Sequence, residues 1–217
     1  AHQDQAQASG ARITFSCGFD SIPFDLGVLF LQAEAVKRHG KPAPRVKGRV
    51  RKMQGGASGG TIASLTETLK AVAKKPSLAL LLKSSFALTP GFEGPHQPSG
   101  LIPEYDCATG TWTAPFVMAP INTKNVHRTN FLLGHPWGSD LVYDEMVMTT
   151  IGEAGKAMAE AMAKANPFGE SKLKPGEGPS KEERENGFYD ILFVGEYPDG
   201  TTIRASVQGD RDPGYGS

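Results

Sequence analysis

The 217 residues are 39% hydrophobic and 21% charged, which suits a folded domain with a sizeable core and argues against a disordered chain. Lys plus Arg equals Asp plus Glu, so no global field draws nucleic acid or an anionic surface to the molecule, and any electrostatic role falls to local patches. Cys17 and Cys107 are too few for a disulfide framework and fit a reducing compartment; with no leader pattern and no apolar run long enough to span a bilayer, a cytoplasmic protein without a transmembrane segment is expected.

In chain order, residues 1–9 read as a polar helix stopped by Gly10. Residues 11–16, with Ile13 and Phe15 alternating, suit a short strand. After the turn Cys17-Gly18-Phe19 a helix covers residues 22–39, capped by Asp20 or Ser21, with Pro23 in its first turn and Gly40 at its end. Ile22, Leu26, Leu29, Ala33 and Val36 recur at helical spacing and mark its buried stripe. Residues 45–53 alternate as a strand: Val46, Gly48 and Val50 face one way, Arg45, Lys47, Arg49 and Arg51 the other. The run Gly55-Gly56-Ala57-Ser58-Gly59-Gly60 opens a second helix with Ile62, Leu65, Leu69 and Val72 on its apolar side. Pro76 starts a short helix that reaches Leu82. Residues 89–115, rich in Pro and Gly, read as a long loop of the functional or mobile kind.

A helix over 121–133, a strand over 141–150 and an Ala- and Met-rich helix over 153–165 follow, the last ended by Asn166-Pro167. Residues 168–186 read as a charged, exposed loop. A hairpin closes the series, with strands over 187–197 and 201–208 around Pro198-Asp199-Gly200. Its first strand is apolar on both faces from Ile191 to Val194 and belongs inside a sheet. Strands and helices do not alternate regularly. The expected fold class is therefore α+β, a mixed or antiparallel sheet with helices packed on one face.

Few residues carry chemistry by pattern alone. Residues 55–60 have the glycine spacing of a phosphate loop, but Thr61 stands where lysine is required, and G-x-G-x-x-G is absent. What remains is a helix N-terminus whose amides and dipole favour an anion: a plain structural turn, or a contact of Gly59, Gly60 and Thr61 with substrate or cofactor. At the earlier junction Gly18 permits close approach of a flat ligand, while Asp20 or Ser21 is otherwise only a cap. Lys124 and Arg128 share a helical face, either as a solvated basic surface or as a clamp for a substrate carboxylate or phosphate. His127 has no second ligand at metal spacing, so no zinc site is expected. The basic stripe Arg45, Lys47, Arg49 and Arg51 either receives an acidic carrier protein or CoA phosphate, or is neutralised by cross-strand acids; charge runs are usually of the second kind.

The segment CGFDSIPFDLGVLFLQ resembles the junction that follows the Rossmann domain in saccharopine dehydrogenase-like oxidoreductases, a group that includes trans-acting enoyl reductases. GGASGGTIASL, APFVMAPINTKNVHRTN, YDEMVMT and FYDILFVGEYPDGTTIRASVQGDRDPGYGS continue the likeness in the family's order, over nearly the whole chain. The resemblance implies that residues 1–16 are the remnant of an NAD(P)-binding domain that precedes them. Residues 17–208 would then be a substrate and dimerisation domain, and residues 209–217 would begin a return to the nucleotide domain, with Asp210-Arg211-Asp212-Pro213-Gly214-Tyr215 bracing the cleft between domains. The absence of an initiating Met and the loop-like end agree with a chain cut from a longer polypeptide.

The same resemblance implies hydride reduction of an acyl or enoyl compound. Gly18, Phe19 and Ser21 would lie near the cofactor, Asp20 would position or protonate substrate, and Gly59, Gly60, Thr61, Lys124 and Arg128 would contact substrate. NAD(P) belongs to the complete protein, with none expected on these residues alone. A homodimer is expected, peripheral membrane contact is allowed and no nucleic acid is involved. The alternatives are a non-catalytic lipid- or partner-binding domain of the same fold, or imine reduction on an amino acid. The latter would require paired basic residues that 89–115 lacks.

Overall fold

The computed structural model describes residues 2–18, 21–56, 58–165 and 173–211. Among them are seven helices and six strands, in the order α1 (Gln3–Ser9), α2 (Ile22–His39), β1 (Arg45–Gln54), α3 (Gly59–Lys74), α4 (Leu78–Lys83), β2 (Glu104–Asp106), β3 (Thr111–Pro115), α5 (Ala119–Leu132), β4 (Val142–Met148), α6 (Gly152–Lys164), α7 (Lys181–Glu185), β5 (Phe188–Glu196) and β6 (Thr202–Asp210). The strands form one open sheet in the order β2-β3-β4-β1-β5-β6. Only β1 and β4 run parallel; the other neighbours are antiparallel, so the sheet is mixed and the fold α+β.

Alternation along β1 divides the sheet as its sequence requires. Val46, Gly48 and Val50 join Tyr143 of β4 and Ile191 and Phe193 of β5 under α2, whose Phe24, Val28, Leu31 and Ala35 complete the core. Glycine at position 27 lets the helix approach closely, because a Cβ there would lie 2.2 Å from the Phe193 ring. Gln32, buried in the same face, exchanges two hydrogen bonds with the backbone of Ala43 and so fixes the link into β1. β5 lies between β1 and β6, and its four residues 191–194 are all buried.

Several sequence expectations need correction. The stripe assigned to the core of α2 is the wrong face: Ile22, Leu26, Leu29, Ala33 and Val36 are exposed, Leu26 by 55%. The helix is apolar around most of its circumference, so spacing alone cannot select the inner side. Residues 11–16 form no strand and are exposed throughout: two alternating apolar residues do not make a strand where none of the six described strands pairs with the segment. The apolar side of α3 is not buried either, for Gly59 is its sole buried residue.

The region 89–115 is not one loop, because it contains the hairpin β2–β3, turned at Asp106, whose carboxylate accepts from Ala108 N–H. Within 168–186 lies α7, started by a reciprocal capping box between Ser180 and Glu183. The turn Asp212-Pro213-Gly214-Tyr215 lies outside the described residues.

Candidate substrate site

A cleft of about 690 Å³, the size of a small-molecule pocket, opens between α4, residues 84–101, the start of α5 and β4. Leu80, Leu82, Phe86 and Leu101 give it apolar walls, Gln97 and Lys124 bring polar groups to it, and the fully buried Glu145 borders it. Its outer wall has little regular structure but is firmly tied. Gln97 acts as a surrogate strand residue at the β4 edge: its amide donates to Leu141 O at 3.1 Å and its oxygen accepts from Tyr143 N–H at 2.9 Å. Thr89 closes a turn by donating between the carbonyls of Phe86 and Phe92. Phe86 then packs at a tilt against His127, and Phe92 against His135, both presented by α5 and the residues after it. His127 is buried; desolvation lowers its pKa to about 4, and its Nε2 has no hydrogen-bond partner.

Behind the cleft runs an oriented polar chain. Asn125 Nδ2 donates to Ser21 Oγ, which donates to Asn122 Oδ1, each at 3.1 Å. Asn122 Nδ2 donates to Glu145 Oε2 at 2.9 Å and the Tyr143 hydroxyl to Oε1 at 2.8 Å. Glu145 is completely buried. Burial pushes its carboxyl up to about 8, outweighing the two donors that favour the ionised form. Neighbouring β4 residues point to opposite faces, so Asp144 meets a different environment. There Arg49 is buried, donating to Asp106 Oδ2 at 2.6 Å and Asp144 Oδ2 at 2.8 Å. Burial alone would raise Asp106, but Arg49 and Lys47 together hold it below the usual carboxylate range. Arg45 also pairs with Asp144, Lys47 with Glu196, and Arg51 with Asp190. The basic stripe is thus the neutralised polar side of the sheet.

The residues singled out in the sequence are dispersed by the fold. Lys124 lines the cleft, but its ammonium donates to the carbonyls of Leu82 and Pro120, and burial lowers its pKa. Arg128 donates to Leu88 O at 2.8 Å. Lys124 therefore ties α4 to α5, and Arg128 ties the outer wall at Leu88 to α5. At the start of α3, Thr61 N–H is capped by Ser58 Oγ and Gly59 N–H is bonded to Glu177 O, so protein groups occupy two of the amides suited to an anion. Gly18 O accepts from the amides of Ser21 and Ile22. Ser21 occupies the N-cap position of α2, yet its hydroxyl makes no cap and joins the chain to α5 instead. Phe19 and Asp20 lie outside the described residues.

Sequence reasoning missed Glu145, Tyr143 and Asn122. The available signal was an acid in register with apolar-face positions: Tyr143, Glu145 and Val147 share one side of β4. No cluster of three or more His, Cys, Asp or Glu able to hold a metal occurs among the described residues.

The chain is homologous to mycobacterial trans-acting enoyl reductases. It is 36% identical, over 99% of its length, to a Mycobacterium tuberculosis protein that carries that name provisionally, and it covers 57% of that protein. It is 31% identical, over 87% of its length, to the trans-acting enoyl reductase of Mycobacterium ulcerans, and 30%, over 94%, to that of Mycobacterium bovis; it covers 51% and 55% of these. The chain thus spans about half the length of the curated relatives it matches. No family model matches it. No solved structure matches it.

Proposed function

We propose that this chain is the acyl-binding portion of an NAD(P)-dependent enoyl reductase of the saccharopine dehydrogenase-like kind. Homology to trans-acting enoyl reductases across 99% of the chain carries the reading. The cleft supports it: Leu80, Leu82, Phe86 and Leu101 suit an aliphatic chain and leave the polar end of a 2-enoyl thioester toward β4 and α5. The described residues do not fit a dinucleotide cradle. They contain no glycine fingerprint, and their single parallel strand pair is not the repeated βαβ unit that such a cofactor requires. In this reading NAD(P) is held by other parts of the complete polypeptide, and a homodimer is the working assembly.

Reduction of a conjugated double bond places negative charge on the thioester oxygen and then requires a proton. Glu145, fully buried beside the cleft and with a carboxyl that burial raises to about 8, is our candidate for the group that holds that proton. The oriented chain through Asn122 connects it to Ser21, at the junction where Gly18 and Phe19 are proposed to face the cofactor and Asp20 to position substrate. Gly59, Gly60 and Thr61 remain proposed substrate contacts through their backbone. Reduction of an amino-acid imine fits less well, because Lys124 and Arg128 are already engaged with the backbone carbonyls of Leu82 and Leu88.

The test is NADPH oxidation by the polypeptide encoded by the complete gene, with a 2-enoyl thioester as substrate. Turnover that falls at least about a hundredfold in Asp20→Ala or Glu145→Gln supports the assignment. No turnover with enoyl thioesters of any chain length removes it.

A further inference from the structure

The arm formed by α3 and α4 has an unusual surface. Among the described elements α3 packs chiefly on α4, its first residue also meets residues 174–177, and neither helix buries an apolar side chain. Leu65 and Leu69 lie on one face of α3, Leu69 being 60% exposed, while Lys70, paired with Glu67, and Lys74 stand on the side turned away from that face. In α4 the consecutive residues Leu80, Leu81 and Leu82 are 71%, 56% and 47% exposed. Across the cleft mouth Leu101 and Ile102 are exposed as well.

Charge is equally one-sided. Residues 59–83 hold four lysines against one glutamate, in a molecule whose formal net charge is zero. Three consecutive leucines on a helix point about 100° apart, so a flat protein surface can cover only part of them. A fluid apolar medium surrounds all three. An apolar leucine face with lysines on the remaining side is the pattern of helices that lie in a bilayer interface.

We propose that the α3–α4 arm docks onto the surface of an anionic phospholipid bilayer and sets the mouth of the cleft at the lipid face. Leu80 and Leu82 belong both to the arm and to the cleft wall, so the docked arm is continuous with the proposed acyl site. Direct passage of an acyl chain from lipid into the cleft rests on the acyl-binding reading above; docking itself does not. Among the described residues no helix is long and apolar enough to cross a membrane, so the contact is peripheral.

The experiment is flotation of the 217-residue chain with vesicles of mixed phosphatidylglycerol and phosphatidylcholine, and with vesicles of phosphatidylcholine alone. The chain is expected to float with the anionic vesicles and not with the neutral ones. Leu69→Ser with Leu81→Ser, and separately Lys74→Glu with Lys75→Glu, should each lower the bound fraction at least about tenfold while leaving the melting transition in place. Absence of flotation with anionic vesicles overturns the proposal, as does flotation that neither double variant weakens. It is also overturned if the wild type forms a dimer that Leu69→Ser with Leu81→Ser dissociates, or binds an acidic carrier protein through the arm, without floating. A chain that binds enoyl thioester but no vesicle sinks this inference alone; one that floats but binds no thioester sinks the acyl reading alone.

Discussion

Asp106, Asp144 and Glu145 are all buried carboxylates, but their surroundings differ in kind. Arg49 lies between the first two, whereas Glu145 has only the hydroxyl of Tyr143 and the amide of Asn122. Neutral donors compensate a buried negative charge less well than a guanidinium, so Glu145 keeps its proton to a higher pH. Its folded pKa, about 8, stands above the ordinary glutamate value. The associated stability is fully present below pH 4.5 and declines as pH rises through about 8. Urea unfolding from pH 5 to 9 should therefore show a loss on the order of a few kcal/mol that Glu145→Gln largely removes. His127 acts from the opposite side. Its lowered pKa favours the neutral ring, so its contribution is complete above pH 6.5 and declines toward about 4; His127→Phe should flatten the acid limb of the same titration. Spacing placed Glu145 on the side of β4 shared by Tyr143 and Val147, but it did not reveal the partners that set its charge. A lone glutamate in YDEMVMT reads as a surface residue until the strand's neighbours and the helix above it are in place.

Elements were easier to read than their inward faces. The bounds of α2, β1, α5 and the β5–β6 hairpin follow closely from Pro, Gly and alternation, because those signals act within a few residues. The orientation of α2 depends on distant partners, above all Phe193 against Gly27, and no local pattern encodes that meeting. Leu31→Ala should accordingly cost about 2–5 kcal/mol, while Leu26→Ser should stay within about 0.5 kcal/mol. Equal losses from the two would reverse the assignment of faces. On the other side of the sheet, Arg49→Ala leaves Asp106 and Asp144 without their shared partner and should destabilise by about 3–5 kcal/mol in chemical unfolding. The alternating pattern identified that strand face as basic. The acids that neutralise it come from β2, β4 and β5, strands distant in sequence, and so stayed invisible until the sheet was assembled.

At the scale of the whole molecule, composition and element order were sufficient for an α+β sheet, but not for the cleft. Its outer wall is drawn from 84–101, where regular signals fail, and is held by single side chains such as Gln97 and Thr89 rather than by a ladder. The surface also carries apolar residues the visible fold does not cover, among them Ile13, Phe15 and the outer face of α2. The proposed function is a division of labour, in which these residues would take the acyl group and the dinucleotide would be held elsewhere. Calorimetric titration of the 217-residue chain with a 2-decenoyl thioester and, separately, with NADPH tests that division directly. The thioester should bind with a micromolar Kd that Leu82→Glu weakens at least about tenfold, with no heat from NADPH at the same concentrations. Micromolar NADPH binding without thioester binding would contradict it.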